Sequence, residues 1–171
     1  MDSVFLDVFF PRCQYSEAPI SVITNILSGD DTSKFLDISY QFRKLRFTKV
    51  KDLAGATIAK ISSVKLSGDT LTLLYGAMEK YCEHLNDLLV SSILVHQNGN
   101  LQELQTKCNE LLMHRPRDFE VILLHAQLLF DLKKYQECIN CLINAKTFFP
   151  NNTDFFDMFA FLVYFISLND N

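Results

Sequence analysis

Cys138-Ile-Asn-Cys141 is a C-x-x-C spacing, and it brings two of the chain's five cysteines within one helical turn of each other. Redox work at such a spacing needs a thiolate. A depressed thiol pKa usually comes from a helix N-terminus beside a strand of an α/β unit. No strand pattern precedes Cys138, so the pair reads as packing residues of a helix, with Cys138 small enough for a close crossing. A zinc site would need two further ligands at ordered spacing. His114 and His125 are present but complete no such signature. None of His84, His96, His114 and His125 stands in a triad-like arrangement with Ser, Cys or acid. Five scattered Gly make no phosphate-binding loop. The expectation is a non-enzyme without metal or cofactor. A thiol-redox protein using Cys138 and Cys141 is the enzymatic alternative.

A second cluster with chemical potential is Arg43-Lys44-Leu45-Arg46-Phe47-Thr48-Lys49-Val50-Lys51. Arg43, Lys44, Arg46, Lys49 and Lys51 around one Phe suit a phosphate or nucleic-acid contact. The plainer reading is a solvated helix end, where cations are favourable near a C-terminus.

The elements that must position these residues come from composition and pattern. Of 171 residues, 49% are apolar and 21% charged, enough for a buried core and too apolar for wholesale disorder. With 5 Gly and 4 Pro, a turn-rich all-β fold is disfavoured. Net charge is −4, which disfavours a strongly basic nucleic-acid binder as a description of the whole chain. The odd cysteine count, with Asp2 and Asp7 where a secretory leader would be basic, points to a reducing compartment, cytoplasmic or nuclear. The apolar stretch 155–168 contains Asp157 and is too short for a membrane span.

The second half repeats itself. Pro116 and Pro150 are 34 residues apart, as are Ser92, Ala126 and Ala160 in turn. Phe119, Ile122, Leu123, Ala126, Leu129 and Phe130 form one helical stripe, and Tyr135, Ile139, Leu142, Ala145 and Phe149 another. Pro116 and Pro150 mark helix stops, and Asn152 or Thr153 can cap the helix that follows. A period of 34 is the tetratricopeptide length. The stretch from Tyr135 to Pro150 resembles the second helix and closing turn of that family. Tyr135 fits its aromatic, Glu137 its acid, Ala145 its small residue and Pro150 its closing proline, with Cys138 in a place usually held by Ala. Ala126 fits the small crossing residue of the first helix. The resemblance covers 85–171, best over 119–152, with weaker copies at 85–118 and 153–171.

That resemblance implies an all-α chain. A tetratricopeptide-like helical-hairpin solenoid over 70–171 would follow an irregular helical N-terminal region, 1–69. It implies a non-catalytic scaffold or adaptor subunit that binds a partner helix or extended segment. By register the family's groove falls on Leu89, Ile93, His96, Leu123, Gln127, Phe130, Asp157, Phe161 and Tyr164. Family members that hold carboxylates use Lys, Arg and Asn there, and none stands at these positions, so a carboxylate clamp is not expected. A nucleic-acid-associated adaptor using 43–51 is the alternative. Phe155 to Leu168 is apolar on nearly every side, which calls for cover by self-association or a protein partner.

In the first half, Ser16 or Pro19 can start a helix that Gly29 ends, and Asp31 or Thr32 can cap another carrying Phe35, Ile38, Phe42 and Leu45. Lys49–Val64 reads as one helix and Thr70–Gln97 as a near-continuous one, with a break near Cys82. Asp2–Phe10 fits strand or helix. A hairpin across Ser67-Gly68-Asp69 is the less favoured reading.

Overall fold

The computed structural model describes Leu6 and residues 9–169. Most of these residues are helical, and among them β pairing is limited to an isolated bridge between Pro19 and Lys49. Most of the expectation for Asp2–Phe10 lies outside them; Leu6 and Phe9 are helical, and the Phe10 amide donates to the Leu6 carbonyl at 2.8 Å. No described helix is long and apolar enough to cross a membrane.

A 3-10 turn at Pro11–Cys13 leads to α1 (Ser21–Ser28), which stops at Gly29 with φ 57°. α2 (Thr32–Lys44) is capped by Asp31, whose carboxylate accepts from the Lys34 amide at 3.0 Å. Here the local signals act as expected: a side-chain acceptor starts the helix and glycine closes the one before it. The single helix expected over Lys49–Val64 is two short ones, α3 (Val50–Ala54) and α4 (Ile58–Ser62). The break has two causes. α3 ends on Gly55, and the Thr57 hydroxyl restarts the chain by accepting from the Lys60 amide at 3.3 Å. Side-chain oxygens of this kind compete with the helical ladder. No hairpin forms at Gly68; Asp69 instead accepts from the Thr72 amide and the chain enters α5 (Thr70–Gln97).

α5 runs through Cys82 without the expected break. Leu74, Met78, Tyr81, Leu85, Leu89 and Ser92 keep three- and four-residue spacing along it and are all buried, so one face stays continuous where the repeat pattern suggested two helices. After α5 come α6 (Leu101–His114), α7 (Phe119–Asp131), α8 (Tyr135–Phe148) and α9 (Thr153–Asn169).

The chain divides into two compact units inside α5, between Asp87 and Leu88. The first unit takes the chain to Asp87 together with Met113–Arg115. Its core joins Ile23, Ile38, Phe42, Phe47, Val50, Leu53, Ile61, Leu74 and Met78. Phe42 and Phe47 meet edge to face at 5.8 Å, a geometry the ring quadrupoles favour. The second unit, Leu88–Leu112 with 116–171, has two apolar clusters, one around Leu104, Cys108 and Leu111 and one around Ala126, Cys138 and Leu142.

Candidate functional site

The 34-residue period seen in the residues is also the period of the helices in the second unit. α6 begins at Leu101 and α8 at Tyr135, 34 residues on. α7 begins at Phe119 and α9 at Thr153, again 34 apart. The turns repeat too. Gly99 (φ 74°) and Lys133 (φ 59°) occupy the same left-handed place, with equivalent bonds from the Gly99 amide to His96 and from the Lys133 amide to Phe130.

Burial follows the same step. On α6, Leu104, Cys108 and Leu111 are buried, and their equivalents on α8 are Cys138, Leu142 and Ala145, also buried. Opposite the first triplet, Leu88, Ser92 and Val95 of α5 lie against or within the core. Opposite the second are Ile122, Ala126 and Leu129 of α7. Ala126 lets α8 approach closely enough for the Cys138 thiol to donate to its carbonyl oxygen at 3.1 Å. One step further, the triplet is Phe156, Ala160 and Val163 on α9. Phe156 is 40% exposed, Val163 is 46% exposed, and Ala160 is exposed. The opposite face of α9 is used: Leu162 is buried, and Met158 and Phe159 pack against the α7–α8 cluster. The face that receives a helix on α5 and α7 is thus open on α9.

Of the groove residues expected from register, His96, Gln127, Phe130 and Phe161 come together around one cleft of about 230 Å³, with Asp131, Met158 and Leu162. His96 Nε2 lies 2.7 Å from Asp131 Oδ2. Phe130 is the hub of an aromatic group, 5.1 Å from Phe165, 5.6 Å from Tyr135 and 6.1 Å from Phe161. Leu89 is buried in the core, and Leu123 is half-buried outside the cleft. Ile93, Asp157 and Tyr164 are exposed outside it. A second groove of about 410 Å³ runs between α7 and α8 and includes His125, Cys141, Asn144 and Phe148.

No family model, curated protein or solved structure matches this chain. What the sites can do therefore rests on their chemistry.

The C-x-x-C thiols are not activated. Cys138 is pushed up to about 11, by burial first and then by Cys141. Cys141 lies 3.7 Å from His125 Nδ1. Burial raises the Cys141 thiol and lowers His125, the latter against the partial opposition of Glu137. Both groups are held toward their neutral forms, the reverse of a thiolate–imidazolium pair. His114 is engaged elsewhere, with its Nδ1 2.6 Å from the Tyr81 hydroxyl, which in turn meets Ser16 at 3.2 Å in the first unit's core. Among the described residues no three His, Cys, Asp or Glu side chains gather as a metal site.

The basic segment is spread over a helix end, a turn and a helix start. Arg43 and Lys44 close α2, Arg46 sits in the turn with φ 58°, and Lys49 and Lys51 flank the start of α3. Lys49 and Lys51 both pair with Glu17, whose carboxyl is held low by those two hydrogen bonds. Arg43, Lys44 and Arg46 are exposed.

Sequence reasoning missed one thiol contact. Cys13 and Cys82 approach to 3.5 Å between sulfurs. They are 69 positions apart, and no local pattern marks them as neighbours.

Proposed function

We propose that this chain is a non-catalytic scaffold or adaptor subunit of a multiprotein assembly, whose second unit is a tetratricopeptide-like helical repeat. The reading is carried by the open triplet Phe156, Ala160 and Val163, since its counterparts on α5 and α7 each receive an amphipathic helix. The partner that fits is a helix with a small residue at the crossing and apolar residues four and seven positions later, as in Cys138, Leu142 and Ala145. α9 carries Asp154 and Asp157 and no Lys or Arg. A partner with cations in its last turn, lying antiparallel, complements both those acids and its own helix dipole. The aromatic cleft at Phe130 and Phe161 offers side chains of the kind that anchor interfaces.

The nucleic-acid alternative has less support, because Glu17 engages two of the cations it would use. Five free thiols favour a reducing cytoplasmic or nuclear setting.

The test is capture from the native source with wild-type chain and with Ala160→Trp, which fills the crossing place. A partner recovered with the wild type and lost with Ala160→Trp is the expected result. A monomer by light scattering that also captures nothing overturns the reading.

A further inference from the structure

Cys13 and Cys82 are placed as a reactive pair. Cys13 closes the 3-10 turn and is fully buried, whereas Cys82 on α5 is partly accessible. Their sulfurs lie 3.5 Å apart, so a movement of about 1.5 Å brings them to disulfide distance. Arg115 reaches the same place and donates from Nη2 to the Cys82 carbonyl at 3.2 Å. Both residues and Arg115 belong to the first unit, whereas the surface invoked above belongs to the second.

We propose that Cys82 and Cys13 form a reversible disulfide on oxidation by hydrogen peroxide, with Cys82 attacked first and Cys13 resolving it. In the first step the Cys82 thiolate sulfur attacks one peroxide oxygen. The O–O bond breaks, Cys82 becomes a sulfenic acid, and the hydroxide released takes a proton to become water. In the second step the Cys13 sulfur attacks the Cys82 sulfur. The S–S bond forms, the S–O bond breaks, and the hydroxyl departs as water with the Cys13 proton. Two thiols lose two electrons in all, and one peroxide becomes two waters.

The division of roles follows from the surroundings. The hydrogen bond between the two sulfurs lowers the Cys82 thiol against its burial, with help from the charges of Arg115 and Arg12. Cys13 is correspondingly raised by that same hydrogen bond and by burial. Tyr81, the other titratable neighbour, is raised by burial and stays a neutral phenol. Cys108 and Cys138 are each pushed up to about 11 by burial, and Cys141 is raised as well. Cys82, lowered where the other cysteines are raised, and partly accessible where Cys13 is buried, is therefore the better-placed attacking thiol.

The experiment treats the full, folded chain with hydrogen peroxide at about pH 7, blocks remaining thiols with N-ethylmaleimide, and maps tryptic peptides without reduction. Cleavage after Arg12, Lys80 and Lys107 puts Cys13, Cys82 and Cys108 in separate peptides. The expected product is a Cys13–Cys82 linked peptide within one chain, released by dithiothreitol. Cys13→Ser is expected to leave Cys82 as a sulfenic acid that dimedone traps, and Cys82→Ser to leave Cys13 reduced. Without peroxide, iodoacetamide should label Cys82 about ten-fold faster than Cys13, Cys108 or Cys138. A disulfide between other positions or between two chains, or equal labelling of all thiols in the wild type, overturns the proposal.

Discussion

The Cys138 thiol donates to the Ala126 carbonyl oxygen across 3.1 Å, where α8 crosses α7. A carbonyl inside a helix normally accepts from the amide four residues on, so a side chain reaching it means that the helices touch backbone to side chain. Only a small residue on each side permits that. Cys138→Leu should therefore overpack the crossing and destabilise the chain by about 1–3 kcal/mol, more than Cys138→Ala. Urea denaturation of the two variants against wild type checks the order.

Lys133 holds φ 59° in the turn between α7 and α8, where the equivalent turn 34 residues earlier has Gly99. A left-handed residue with a Cβ costs about 1–2 kcal/mol relative to glycine. Lys133→Gly is expected to raise stability by up to about 1 kcal/mol, less the added entropy of the unfolded chain. Gly99→Ala should lower it by a similar amount. Thermal midpoints moving in opposite directions verify this.

α9 has one face buried and one face open. Leu162 is buried against the α7–α8 cluster, so Leu162→Ala should cost about 2–5 kcal/mol. Val163, 46% exposed, belongs to the open triplet. Val163→Glu should leave the unfolding midpoint almost unchanged, within about 0.5 kcal/mol, and on the proposed function should weaken partner capture. Denaturation and co-purification of both variants separate the roles.

His125 is held below its ordinary pKa, chiefly by burial; Glu137 opposes and Lys134 assists. Its folded pKa lies below the unfolded value of 6.5, so between the two the unfolded chain binds more protons. Its contribution is present above about pH 6.5 and is lost as pH falls through the folded pKa. Stability should decline as pH falls below about 6.5, with a slope that His125→Gln reduces. Cys141 faces His125 and is neutral over that range, so it does not contribute to the slope.

Much of the second unit can be read from residues close together in the chain. Pro116 and Pro150, the caps at Asp118 and Asn152, and stripes such as Ile122, Ala126 and Leu129 act within a turn or two. Helix formation responds to just those distances. The same local logic mislaid the break after Ala54, because Gly55 and Thr57 count as weak signals until a side-chain oxygen is seen to compete with the backbone. It also suggested a break at Cys82 that the buried stripe of α5 overrides.

Helical character, the step of 34 and most helix ends are already present in the order of the amino acids, because caps, prolines and apolar spacing work over a few residues. Which surfaces stay open was decided by packing in three dimensions. Val163 and Leu129 hold the same place in their helices, yet one is exposed and the other buried, since only α7 has a helix lying across it. The meeting of Cys13 with Cys82, and of Glu17 with Lys49 and Lys51, likewise depends on the folded path of the chain, for contact across tens of residues leaves no trace in local spacing.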